Sequence, residues 1–117
     1  MTDPQSINRF GIEPKYEKFE HDGKVAVLYS PGYGAGWFTS NSHQPGIVFD
    51  REIVAAVLAD DIAKALKIAR AKYGDINTSG GSTLCVDWVP KGEPFEITEY
   101  DGNEDVVIIR DQKYLVA

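Results

Sequence analysis

Between Asp50 and Gly74 the apolar residues Val54, Leu58, Ile62, Leu66, Ala69 and Tyr73 recur every three or four positions. Segments that alternate with the period of a strand flank this helical stripe on both sides. A helix-period segment set between strand-period segments cannot build an all-α or all-β domain, so the expected class is α+β. Asp50 is a good N-cap and Gly74 a plausible C-cap, which sets the helical bounds at Arg51 and Tyr73. Asp60 and Asp61 interrupt the stripe, and Asp60 could cap a second helix, so one bent helix and two short ones are both open. Lys64, Lys67, Arg70 and Lys72 gather toward the far end, where positive charge suits the helix dipole.

Strand-like runs cover Tyr16 to Glu20 and Lys24 to Tyr29, and the Asp22-Gly23 pair between them favours a tight hairpin turn. After the turn-rich stretch Asp75 to Ser82, a strand is expected over Leu84 to Val89. Further strands follow at Phe95 to Tyr100, Val106 to Ile109 and Lys113 to Val116, with turns at Pro90-Lys91-Gly92 and Asp101-Gly102-Asn103. Spacing this close predicts an antiparallel C-terminal meander. The architecture read from the sequence is an antiparallel sheet, made of the N-terminal hairpin and the meander, packed against one bent or two short helices. Residues 1–14 have no periodicity and are interrupted by Pro4, Gly11 and Pro14, so they read as a flexible arm on a single domain spanning 15–117.

Composition narrows the function classes. The chain has 117 residues, 43% of them hydrophobic and 26% charged, as soluble globular domains do. It has no run approaching a spanning helix, and residues 1–14 lack the features of a signal peptide, so a cytoplasmic protein with no membrane role is expected. The net charge of −6 argues against direct nucleic-acid binding. Cys85 is the one cysteine and sits in a strand-like run as a small hydrophobe. Glu93, Glu96, Glu99, Asp101, Glu104 and Asp105 form an acidic run without a basic residue, read as the solvated face of a hairpin. The sharper reading of the same run is a nucleic-acid mimic, which would require those carboxylates on one continuous face.

The stretch Ser30 to Gly46 carries the candidate site. Gly32, Gly34 and Gly36 leave backbone amides accessible, and Tyr33, Trp37 and Phe38 bring large apolar surface to an otherwise polar segment. The candidate ligand-binding residues are Ser30, Gly32, Tyr33, Gly34, Gly36, Trp37, Asn41, His43 and Arg51. The amides and Arg51 would hold an anion, and Tyr33 and Trp37 would stack on a ring. An alternative makes the glycines a means of crossing the sheet and Trp37 a plug of the core. The glycine spacing fails as a dinucleotide fingerprint, because the third glycine comes one residue early and no helix opens behind it, and no P-loop is present. His43 near Asp50 and Arg51 could act as a general base, but no metal, triad or paired-carboxylate signature accompanies it. No catalytic residue, metal site or cofactor is assigned.

The runs KVAVLYSPGYGAGW, FD at Phe49-Asp50, YGD at Tyr73 to Asp75, and VDWVPKGEPFEITEYDG at Val86 to Gly102 resemble a group of small, mostly uncharacterised proteins of tailed bacteriophages and prophages. The resemblance covers the chain from about residue 23 onward. Where that pattern has Ser and Thr after the tryptophan, this chain has Phe38-Thr39-Ser40. The resemblance implies a phage-encoded accessory protein of the host cytoplasm, one that inhibits or sequesters a host or defence factor. The expected function is accordingly a non-catalytic binding module using loop 30–46, with a host protein or a small nucleotide-like ligand as partner and homo-oligomerisation open. The alternatives are a small nucleotide-directed enzyme using His43 and an acidic nucleic-acid-mimic inhibitor.

Overall fold

The computed structural model describes residues 17–32 and 35–109. The arm 1–14, Tyr33, Gly34 and the strand expected at Lys113 to Val116 lie outside the described residues. Strands β1 (Glu20–His21) and β2 (Lys24–Tyr29) form a hairpin in register Glu20↔Val25 and His21↔Lys24. A two-residue loop of this kind needs positive φ at both central positions, and Asp22 and Gly23 supply it at 51° and 75°. The same chemistry recurs between β4 (Phe95–Tyr100) and β5 (Asn103–Ile108), where Asp101 and Gly102 lie at 52° and 84°.

Two helices lie between these hairpins, α1 (Arg51–Leu58) and α2 (Ile62–Tyr73). Asp50 caps α1 by accepting from the amides of Glu52 and Ile53. The helical stripe breaks at Asp60, which takes a left-handed φ of 58° that an aspartate tolerates. Asp61 then caps α2 through the Lys64 amide, so the second cap falls one residue later than Asp60. The break resets the rotational phase of the stripe. Val54 and Ala69 are buried as expected, Ile53, Ala56 and Ala65 join them, and Leu58, next to the break, is left 47% exposed.

The class is α+β, with one difference in connectivity from a continuous C-terminal meander. β3 (Cys85–Pro90) pairs antiparallel with β2 along its whole length, giving the order β1-β2-β3, while β4 and β5 form a separate two-stranded sheet. Pro90 and Pro94 bracket the connection from β3 to β4 and cannot donate to a ladder, so a tight hairpin is blocked there. β2, meanwhile, is buried from Val25 through Leu28 and needs a partner on each side. The helices cover the three-stranded sheet over Ala26, Leu28, Ile53, Val54, Ala65, Ala69 and Val89, and Trp37, Ile47 and Val48 enter the same core from the long loop. Phe49 and Phe95 meet edge to face at 6.0 Å and join the second sheet to this core.

Candidate functional site

Loop 30–46 is organised around a residue far away in sequence. Glu104 of β5 is only 1% exposed, and its carboxylate lies inside the loop. Oε1 accepts from the Ser30 amide at 3.0 Å and from Ser30 Oγ at 3.4 Å. Oε2 accepts from the amides of Phe38 at 2.9 Å and Thr39 at 2.8 Å, and from Thr39 Oγ1 at 3.0 Å. Ser30 Oγ in turn accepts from the Trp37 amide at 2.8 Å, so the hydroxyl relays between the two ends of the loop. Every buried side-chain polar atom among the described residues has a partner, as a polar cluster withdrawn from water requires.

The sequence-derived site residues divide into distinct places. Ser30 is buried in this hub. Gly32, at φ 114°, donates its amide to Asn103 Oδ1 at 2.8 Å, and Gly36 abuts the carboxylate so closely that a Cβ there would lie 2.6 Å from Glu104 Oε2. Trp37 is fully buried and donates Nε1–H to the Ile47 carbonyl, so no face of its indole is open to a ligand in this conformation. Asn41 is also fully buried. Its Nδ2 donates to the carbonyls of Trp37 and Asn77, and its Oδ1 accepts from the Asn77 amide at 2.7 Å. His43 is exposed, with no side-chain hydrogen bond or ion pair to another described residue. Arg51 stands apart at the head of α1. Three amides of the loop, those of Ser30, Phe38 and Thr39, therefore go to a carboxylate of the same chain, and that of Gly32 goes to a side-chain amide.

Glu104 was not among the candidates, although the strand pattern carries a signal for it. It shares its side of β5 with Val106 and Ile108, so it occupies an apolar phase of the alternation. The hairpin register also divides the acidic run. Glu99 and Glu104 pair across one face, Glu96 and Asp105 belong to the other, and Glu99 Oε2 caps its own turn by accepting from the Gly102 amide. With Glu104 withdrawn from water, the run does not form one continuous carboxylate face.

The second glycine-containing loop meets the first. The Asn41–Asn77 exchange ties them, Gly80 leaves room for the Ala35 carbonyl, and Thr83 packs beside Gly32. Their sequences share one property. From Val25 to Phe49 and from Ile76 to Val86 there is no Asp, Glu, Lys or Arg, in a chain where a quarter of residues are charged. Thr39, Ser40, Ser42, His43, Asn77, Ser79, Ser82 and Thr83 are exposed on the joined loops, so the outer surface there is rich in hydroxyl and amide groups and carries no fixed charge.

A cleft of about 470 Å3 opens at the head of α1, walled by Phe19 and Phe49 and edged by Asp50, Arg51, Lys72 and Tyr73. Burial opposes ionisation of Asp50, but hydrogen bonds from the Tyr73 hydroxyl at 2.7 Å, from the Ile53 amide and from Lys72 outweigh it and hold the carboxyl below the usual aspartate range. Lys72 is held above its usual range, first by Glu52 at 2.6 Å and then by Asp50. The folded state thus binds a proton at Asp50 more weakly than the unfolded chain does. Its stabilising contribution is complete above the ordinary aspartate value of about 3.9 and is lost as pH falls through the folded value. The stability difference between wild type and Asp50→Asn, measured by urea unfolding, should therefore be constant near neutrality and shrink below about pH 4; a difference that grows on acidification would contradict the network.

No family model matches the chain. No curated protein and no solved structure is significantly similar to it. Among the described residues there is no group of three or more His, Cys, Asp or Glu that could hold a metal ion, and no helix is long and apolar enough to cross a membrane. Cys85 is half-buried, with its thiol donating to the Thr83 carbonyl.

Proposed function

We propose that the chain is a small non-catalytic binding protein that engages a protein partner through loop 30–46, extended by the loop around Asn77 to Thr83. The observation that carries this reading is the joined, charge-free surface held by the buried Glu104 and Asn41 bonds. Recognition surfaces that bind tightly are depleted of charge at their centre, and Ser, Gly and Asn supply adaptable hydrogen bonding there. A loop fixed by buried hydrogen bonds loses little conformational entropy on association. Among the described residues no carboxylate bonds to His43 to orient it as a base, so the geometry lends no support to a reading as an enzyme. The resemblance to phage accessory proteins supports the role of an inhibitor or sequestering module against a host or defence factor.

Charge inserted into the face tests this. Immobilised wild-type protein and the Lys67→Glu control on α2 should retain the same bacterial partner, while Ser42→Glu should lose it by about tenfold or more. Retention should also survive 0.5 M salt, about the concentration at which interactions between exposed charges are screened within a few ångströms. A partner held equally by Ser42→Glu, or released by salt, would refute the reading.

The cleft at Arg51 favours a second reading, a small nucleotide-like ligand. Its volume falls in the range of small-molecule sites, Phe19, Phe49 and Tyr73 line it beside the carboxylates of Glu17, Asp50 and Glu52, and Arg51 has no ion pair among the described residues. A thermal shift with nucleotides that is abolished by Arg51→Ala would move the function to that cleft.

A further inference from the structure

The Glu104 pocket has the construction of a receptor site. Its donors come from two separated parts of the loop, the amide and hydroxyl of Ser30 on one side and the amides of Phe38 and Thr39 with the Thr39 hydroxyl on the other. They are sorted between the two oxygens, as a planar two-oxygen anion requires. The Trp37 amide occupies a lone pair of Ser30 Oγ and so directs that hydroxyl's proton toward Oε1. Gly36 carries no Cβ where the carboxylate rests. The occupant belongs to a different sheet, and its backbone is held independently, with the Glu104 amide donating to the Ser30 carbonyl at 3.1 Å.

We propose that this pocket is a carboxylate-binding site filled in cis by Glu104, and that it accepts a small free carboxylate once that side chain is shortened. Glu104→Ala deletes Cγ, Cδ and both oxygens while keeping Cβ and the backbone bond to Ser30. The atoms removed correspond to acetate, whose methyl group takes the place of Cγ. Formate also fits. Butyrate adds two carbons in the direction of Ala Cβ and meets the walls. In the wild type the tethered carboxylate has the advantage of high effective concentration, so free acetate does not displace it. The assignment does not depend on the partner-binding reading, since it concerns buried donors and not the outer face.

The test is thermal unfolding of full-length Glu104→Ala in 0.5 M sodium acetate, formate, butyrate or chloride at one pH, beside wild type and Glu104→Gln. Acetate and formate should raise the midpoint of Glu104→Ala by about 5 °C over chloride, the shift expected when a ligand is present at roughly ten times its Kd. Butyrate should give less than a third of the acetate shift. Wild type, and Glu104→Gln with the pocket still filled, should not distinguish acetate from chloride. If Glu104→Ala is unfolded in chloride at 25 °C, the same series is read by far-UV circular dichroism as refolding driven by acetate. Equal behaviour of Glu104→Ala in acetate and chloride, an equal shift in wild type, or equal action of butyrate and acetate would each overturn the proposal.

Discussion

Glu104→Gln should destabilise the protein by about 3 kcal/mol, although the two side chains have nearly the same shape. The physical reason is donor against donor. Both carboxylate oxygens accept, Oε1 from Ser30 and Oε2 from Phe38 and Thr39, so whichever position the new NH2 takes, it faces N–H and O–H groups that have lost their acceptor. Because the site is only 1% exposed, water cannot supply the missing bonds. Urea unfolding measures the loss, and hydrogen exchange locates it, with faster exchange expected first at the amides of Ser30, Phe38 and Thr39. A Glu104→Gln protein as stable as wild type, with those amides unchanged, would mean that the carboxylate is not the organising group of the loop.

Trp37→Ala should cost about 3–5 kcal/mol, the usual effect of removing a large aromatic side chain from a core. The indole is fully buried with Ile47 and Val48, and its N–H bonds to the Ile47 carbonyl, so truncation leaves a cavity and an unpaired acceptor together. Trp37→Phe keeps most of the apolar contact while losing the hydrogen bond, and it should retain about half or more of that stability. Chemical unfolding of both variants separates the two contributions. A folded Trp37→Ala protein within about 1 kcal/mol of wild type would contradict the core position and return the ring to the role of a binding anchor.

Much of the fold was legible because it is specified locally. The turns at Asp22-Gly23 and Asp101-Gly102 announce themselves in two residues, and the helical bounds at Arg51 and Tyr73 follow from a cap and a period. The second cap moved from Asp60 to Asp61 because adjacent aspartates offer the same chemistry, and the path of the chain decides which takes the left-handed backbone. The pairing of β3 with β2 instead of β4 was not legible in local spacing, since it depends on the demand of a central strand for two neighbours. The candidate site was readable as a segment but not as a mechanism. Ser30, Gly36 and Asn41 belong to one organised loop, yet what organises them is Glu104 and Asn77, partners that no local pattern connects to it. The phase of Glu104 on β5 is a visible clue, because the acidic run spans two strands and a turn and its carboxylates alternate between faces.

Ser30 and Glu104 are 74 positions apart. During synthesis from the N-terminus, the first hairpin and both helices leave the ribosome well before the residue that completes the loop. Until position 104 has been added, the donors of Ser30, Phe38 and Thr39 have no carboxylate to gather around. The part of the molecule proposed to meet its partner is thus completed by a strand made after the first hairpin and both helices, and a nascent chain that has not reached position 104 carries the recognition sequence without the group that shapes it.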